Sequence, residues 1–599
     1  MPTSRMLSLL LSPKMIPTLN RISVHRFQTS SHFSQPYSDS EKFPKLDETF
    51  NSSEEAYKSK TTGEIIRALF VFQLLNINYV ADNQTKLIHW GRRILGERLF
   101  KMLMKATFFG HFVAGEDQHE IAPKIRRMRK FGVNAILDYS AEDDVPEGEE
   151  QQTGSQTVAT PDQKGSDVVG EEKGLKKYNG SNTCATERKK RAISRVYTYY
   201  NEASCDKNTQ IFLNSIKAVE GATDGTGFAA IKATAICKPQ LLLRISEAIE
   251  RIHVFIERLT GVNDAVNNQQ INIDTLKKRF SKAAKADPAF QAWLDDMDSD
   301  SAGIINLVPW KSLLNAKKCV RTAFRIPNFP TGDLEKIVPI SDDEIQEFKN
   351  ALDRFHTIFK AAAASNVRVM VDAEQTYLQV AISRVTIEMM KIYNVEKPMV
   401  YNTYQCYLKR AFHDLVTDLN QAERQKFYFG AKLVRGAYME QERQRANSMG
   451  YDDPINSTYA STTEMYEKCM DECLWRIKSS KESVSPGRIK VMAATHNEDT
   501  VRFVLRRMKE YDIARDEHSV CFGQLYGMCD QISFPLGQSR YSVYKYVPYG
   551  PILKVLPYLS RRALENRGVL GGKTDKERKL LRDELWRRIM KRKWSYNPD

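Results

Sequence analysis

From residue 194 onward, short apolar runs alternate with longer amphipathic stretches, and this rhythm constrains the chain more than any other feature. The runs are Phe228–Ile236, Val367–Asp372, Met399–Thr403, Phe429–Val434, Ile489–Ala494, Val520–Leu525 and Val543–Val547, and Val133–Tyr139 lies upstream. Between and after them, apolar residues recur at helical spacing over 194–220, 240–259, 378–393, 408–423, 458–479, 500–510 and 552–566. Strands alternating with helices of this length mean βα units and a parallel sheet. Eight such strands predict closure into a distorted (β/α)8 TIM-like barrel over 132–570.

Several segments depart from the rhythm. Residues 1–38 carry Arg5, Lys14, Arg21 and Arg26, many serines and no acid, the composition of a mitochondrial transit peptide. Residues 39–131 open polar and then turn helical, with Ile65, Ile66, Leu69, Phe70 and Phe72 giving a wide apolar face. Residues 141–191 open acidic and close basic with too few apolar side chains to repay ordering, so they are expected to be a disordered insert. A second insert is expected over 264–320.

The remaining segment, 571–599, is basic and sets Leu581, Leu585 and Ile589 on one helical face near Trp586 and Trp594. Such a stripe suits an anionic membrane surface and suits packing on the barrel equally well.

The formal net charge is +15, and four of those charges lie in the leader. Nucleic acid is a poor partner for the rest, because no stacking platform or recognisable module accompanies the charge. No stretch approaches the roughly 20 apolar residues of a transmembrane helix. The nine cysteines are scattered and complete no zinc site, as expected of reduced, buried thiols.

Three motif-like strings fail on context. Gly225, Gly227 and Ala230 match the spacing of a dinucleotide fingerprint, but a strand follows them where a helix is required. The stretch Gly572–Thr574 lacks the upstream glycine of a phosphate loop. Asp298, Asp300 and Gly303 open like a calcium loop, yet Ala302 and Pro309 stand where ligands belong, so a degenerate structural loop and no metal site is expected.

In a (β/α)8 barrel, chemistry sits at the C-terminal ends of the strands. Lys232, Asp372, Gln405, Lys432, Arg435, Thr495, His496, Gln524 and Tyr546 all fall at such ends. Downstream, the adjacent Arg561 and Arg562 offer two planar guanidiniums suited to a carboxylate, and Glu565 is one turn on from Arg561 to hold it.

The run from Gly430 through Lys432, Leu433, Val434, Arg435, Gly436 and Ala437 to Tyr438 resembles the signature strand of the proline dehydrogenase family. Further matches follow in order: Val371–Glu374, Gln405–Arg410, Ala494–Asn497, Leu525–Met528, Tyr546–Gly550 and Arg561 with Arg562. The resemblance spans about 112–570, apart from the inserts, and is nearest the animal mitochondrial branch.

That resemblance implies FAD bound without a Rossmann fingerprint and lined by Gln405, Lys432, Val434, Arg435, Gly436, Ala437, Thr495 and His496. It implies that Lys232, Arg561 and Arg562 hold a proline carboxylate, with Asp372 beside the substrate. Leu433, Tyr438, Leu525 and Tyr546 would surround the pyrrolidine ring. Asp372, Lys432 and Tyr546 are the catalytic candidates. Hydride would pass from substrate C5 to flavin N5, giving pyrroline-5-carboxylate, and electrons would pass to ubiquinone. Bacterial members usually carry the two cations of the signature in the exchanged order.

The resemblance also implies a place in the mitochondrial matrix against the inner membrane, and a hand-off of product to pyrroline-5-carboxylate dehydrogenase. A smaller residue at position 546 is typical of the hydroxyproline dehydrogenases, the nearest alternative, so Tyr546 favours proline. A gate pairing Glu142 with Arg561 is a further expectation. An inactive barrel scaffold is the alternative from outside enzymology, and the intact set of charged residues speaks against it.

Overall fold

The computed structural model describes residues 44–77, 83–140, 202–223, 225–260, 272–297, 299–301, 303–305, 325–327, 334–336, 340–481, 488–568 and 571–598. Side chains at 84–85, 253–260, 283, 289, 325–327, 334–336, 563–568 and 571–574 are outside this description. The expected leader 1–38, the insert 141–191 with Glu142, and the Glu565 side chain therefore lie outside the described residues.

Eight strands form a closed parallel barrel: β1 (Val133–Tyr139), β2 (Phe228–Ile231), β3 (Arg368–Val371), β4 (Val400–Gln405), β5 (Phe429–Val434), β6 (Ile489–Ala494), β7 (Val520–Leu525) and β8 (Ser542–Tyr549). Neighbours follow chain order around the ring and β8 closes on β1, with Ile136 opposite Tyr546. This is the (β/α)8 class that the alternating pattern predicts.

Alternation along each strand sends one set of side chains inward. Ile136, Phe228, Ala230, Met370, Tyr401, Met492, Cys521 and Tyr544 fill the lower barrel. The Phe228 ring meets Tyr401 and Tyr544 edge-on at 5.0 Å, and the Arg368 guanidinium sits 4.0 Å over Phe228 while donating to the Tyr544 hydroxyl. This plug leaves the polar inward positions at the C-terminal rim.

Strand β2 is shorter than its apolar run predicts. The backbone turns helical over Ala233–Ile236, where Glu374 accepts from the Thr234 amide at 3.0 Å and from its hydroxyl at 2.6 Å. A tertiary contact overrides the strand pattern in an alanine-rich segment that pays little to become helical.

The contacts divide the chain into two units. The larger spans Phe43–Glu250, Asp300–Ala302 and Ser341–Asp599 and holds the barrel. The smaller draws on Arg251–Ser299 and Gly303–Ile340; its described elements are helices Ile273–Ala286 and Pro288–Asp295 and an antiparallel pair, Arg325–Pro327 with Leu334–Lys336. Of the calcium-like string, Asp298 and Ala302 lie outside the description, and Asp300 accepts from Arg424 at 3.0 Å.

Around the barrel of the larger unit lie α1 (Thr62–Leu75), α2 (Gln84–Ala106), α3 (Gln118–Lys130), α4 (Leu556–Gly568) and α5 (Gly571–Met590). A full capping box between Thr61 and Glu64 starts α1. The stripe of α5 is used internally, because Leu580, Leu581 and Leu585 pack on Ala56, Tyr57, Ile65, Ala68 and Phe72. Arg588 reinforces this by donating to the Tyr57 and Lys60 carbonyls at 2.9 Å each. The stripe packs on the N-terminal helical segment rather than on the barrel, while Trp586 and Trp594 stay exposed.

Candidate active site

Three strands bring their rim residues to one carboxylate. Asp372 follows β3, and its amide donates to the Ile231 carbonyl at 2.9 Å, which fixes where the side chain starts. From β5, the Lys432 ammonium donates to Asp372 Oδ1 at 2.8 Å; from β8, the Tyr546 hydroxyl donates to Oδ2 at 2.6 Å. Lys432 also stands 5.0 Å from the Tyr546 ring centre, within cation–π range. Burial alone raises the carboxyl pKa, but Lys432, then Lys232 and the two hydrogen bonds, outweigh it, so Asp372 is held below its ordinary value and ionised.

Lys232 is buried at the end of β2 and donates to Asp138 Oδ1 at 3.1 Å. Asp138 Oδ2 accepts from the Ser140 hydroxyl, so this carboxylate too is fully engaged. The Glu374 carboxyl, two residues past Asp372, is pushed up to about 7 by burial, against hydrogen bonds from Thr234.

Gln405 ends β4 with its amide nitrogen donating to the Glu374 carbonyl at 2.7 Å and to the Tyr407 hydroxyl at 2.8 Å. Its amide oxygen is buried and accepts nothing among the described residues. Past β6, the Thr495 hydroxyl accepts from the Asn497 amide at 3.1 Å. The His496 Nε2 accepts from the Leu525 amide at 3.0 Å, which assigns the ring proton to Nδ1.

Past β5 the chain turns through exposed Gly436 and Ala437 before Tyr438 is buried again. A Cβ on Gly436 would stand 2.1 Å from Met439 Sδ, so a side chain there would displace its neighbour. Arg435 lies over Tyr466 and Tyr459 and donates to Thr463 at 3.1 Å and to Thr500 at 2.6 Å; its buried Nε has no partner among the described residues. Leu525 is half-buried at the end of β7. Arg561 and Arg562 are both buried on α4, with their guanidiniums 6.0 and 5.0 Å from the Tyr558 ring.

The structure thus joins Asp372, Lys432 and Tyr546 directly, with Lys232 close enough to act on Asp372. It does not bring Leu433 to them. Lys432 points into the barrel, so alternation turns Leu433 outward to the helices, where its carbonyl accepts from Tyr466 at 3.1 Å. The expectation that Leu433 lines a ring pocket is corrected on that ground. Sequence reasoning missed Asp138, Glu374 and Tyr407. Asp138 was findable, since it shares the inward parity of Ile136 at the end of β1.

A family model for proline dehydrogenase matches residues 259–572. Over 569 residues the chain is 46% identical to "Proline dehydrogenase 1, mitochondrial" of Drosophila melanogaster, covering 92% of this chain and 82% of that protein. The chain belongs to the proline dehydrogenase family. It is also 31% identical to a hydroxyproline dehydrogenase of Xenopus laevis, over 89% of each chain. Among solved structures, it is similar to proline utilization A of Bdellovibrio bacteriovorus, with a TM-score of 0.48 and 16% identity over 89% of this chain and 40% of that one.

The residues fit the flavin that the family implies. The unpartnered Gln405 oxygen suits an imide N–H, the Lys432 cation suits a ring that gains negative charge on reduction, and the orphaned Arg435 Nε suits a phosphate.

Proposed function

We propose that the protein is a flavin-dependent enzyme that oxidises L-proline to pyrroline-5-carboxylate, the opening step of proline catabolism. The observation that carries the reading is the ionised Asp372 held between Lys432 and Tyr546 at the barrel mouth. FAD would be held by Gln405, Lys432, Val434, Arg435, Gly436, Ala437, Thr495 and His496, and bound there it would supply a two-electron acceptor for the oxidation at substrate C5.

The chain's own residues supply position and field. Lys232, Arg561 and Arg562 hold the substrate carboxylate, and Glu565 steadies Arg561. Asp372 orients the substrate nitrogen by charge, its lowered proton affinity suiting it to that role rather than to storing a proton. The nitrogen releases its proton to solvent, so that its lone pair forms the C=N bond as the hydride leaves C5. Tyr438, Leu525 and Tyr546 enclose the ring, and the bulk of Tyr546 disfavours a 4-hydroxyl. The higher identity to a proline dehydrogenase, 46% against 31% for the hydroxyproline relative, supports the same substrate choice.

Ubiquinone is the proposed final acceptor, with the enzyme in the mitochondrial matrix against the inner membrane and its product passing to pyrroline-5-carboxylate dehydrogenase. The test is a steady-state assay with L-proline and a soluble dye acceptor, with the cyclic imine product trapped chemically. Proline-dependent dye reduction with stoichiometric imine supports the reading; dye reduction without imine, or none, rejects it.

A further inference from the structure

Helix α2 divides its apolar residues between two sides. Ile88, Phe100 and Met104 join the cluster that includes Leu556, Tyr558 and Leu559 of α4, the helix that carries Arg561 and Arg562. Trp90, Ile94, Leu99 and Met102 instead keep 68, 73, 57 and 67% of their surface exposed, and Leu87, Leu95 and Leu103 are exposed with them. Spacings of three and four residues put Leu87, Trp90 and Ile94 on one face of the first half, and Leu99, Met102 and Leu103 on one face of the second. Gly96, at φ 68°, breaks the helix between the halves. Water-soluble surfaces rarely leave this many large apolar side chains uncovered on one element.

The charge on the same helix is one-sided. Lys86, Arg92, Arg93, Arg98, Lys101 and Lys105 face a single acid, Glu97. Lys101 pairs with Glu97 at 2.6 Å, and Lys105 pairs with Glu116 at 2.7 Å. Among the described residues, Lys86, Arg92, Arg93 and Arg98 make no ion pair. Apolar side chains flanked by unpaired cations, with a tryptophan among them, are what an anionic bilayer surface recognises. A second copy of this chain is disfavoured as the occupant, since its net charge of +15 and its own basic helix would meet like charge.

We propose that α2 docks the enzyme onto an anionic lipid bilayer, burying Trp90, Ile94, Leu99 and Met102 below the headgroups while Arg92, Arg93 and Arg98 engage lipid phosphates. The proposal rests on the membrane association proposed above and gives it a surface. Because α2 packs directly on α4, the docked face lies beside the helix of the two substrate-site arginines. An acceptor carried in the membrane then has a short route to that end of the barrel.

The test is sedimentation of the full-length, flavin-loaded protein with phosphatidylcholine vesicles, with and without cardiolipin. Two double variants are compared, Ile94→Glu with Met102→Glu, and Arg92→Glu with Arg93→Glu. The wild type is expected to sediment with cardiolipin vesicles, and each variant to lose binding by about tenfold or more. None of these side chains touches the site, so dye-linked proline oxidation stays near wild type and shows that the variants are folded. Wild-type protein that ignores cardiolipin vesicles, or variants that bind as it does, overturns the proposal. Loss in the apolar variant alone removes the anionic-lipid part. If no protein oxidises proline with dye, the proposed chemistry fails, and the sedimentation result still judges the docking surface.

Discussion

The Tyr546 hydroxyl reaches across the barrel mouth to Asp372 Oδ2 at 2.6 Å, while Lys432 occupies the other oxygen of the same carboxylate at 2.8 Å. One anion from β3 is therefore shared by a cation from β5 and a phenol from β8. The phenol contact depends on closure of the barrel, which brings β8 round beside β1. The phenol does two things at once: it helps keep Asp372 ionised, and it fills space beside the proposed ring pocket.

Removing only the hydroxyl separates these roles. Tyr546→Phe keeps the bulk and loses a charge-assisted hydrogen bond, a change of about 1.5–3 kcal/mol, or roughly ten- to hundredfold in kcat/KM for proline. A bond to the charged form lowers a carboxyl pKa, so its loss raises that of Asp372 and moves the acid limb of the pH–rate profile upward. A profile and rate within twofold of wild type contradicts the role given to the hydroxyl.

Removing the bulk addresses substrate choice. Tyr546→Ser opens room where a 4-hydroxyl would lie, and the ratio of kcat/KM for L-proline over trans-4-hydroxy-L-proline should fall about tenfold or more. Parallel steady-state assays with both substrates check this. An unchanged ratio places the discrimination elsewhere.

Asp138 acts through Lys232. Asp138→Asn withdraws a carboxylate that the buried Lys232 ammonium donates to, weakening the hold on its position. The expected result is a KM for proline raised by about fivefold or more with kcat changed much less, because a carboxylate clamp contributes uniform binding. A fall in kcat at constant KM assigns Asp138 a different part.

Glu374 carries a pH signature in stability. Its folded pKa of about 7 exceeds its ordinary 4.5, so between those values the folded state holds a proton that the unfolded chain has released. Stability from this group is therefore highest at low pH and declines as pH rises from about 4.5 to about 7, by on the order of 2–3 kcal/mol in all. Glu374→Gln removes the dependence. Denaturant melts at pH values on either side of that window should show the variant gaining on the wild type as pH rises, and parallel curves reject the assignment.

Much of this architecture is legible in the sequence, and the residues show why some is not. Strands β1, β5, β6 and β7 coincide with their apolar runs because nothing competes with a buried parallel strand there. Strand β2 stops early because Glu374, distant in sequence, holds Thr234 in a helical turn. The helix Met439–Met449 escapes notice because its polar sequence has little apolar periodicity, and its end at Gly450 needs a φ of 71°. The helix Asp530–Gln538 is hidden by Pro535 and Gly537.

At the site, Lys432 and Tyr546 announce themselves as polar residues at strand ends. Leu433 fails as a pocket residue because one step along a strand reverses the face. The pairing of Lys232 with Asp138 spans 94 residues that no local pattern connects.

The central claim is flavin-dependent oxidation of proline at this site, and the most direct test is an anaerobic absorbance spectrum of the purified protein. The account predicts a flavin spectrum that L-proline bleaches and that trans-4-hydroxy-L-proline leaves largely unchanged. A protein without flavin, a flavin that neither compound reduces, or one bleached by hydroxyproline alone contradicts it.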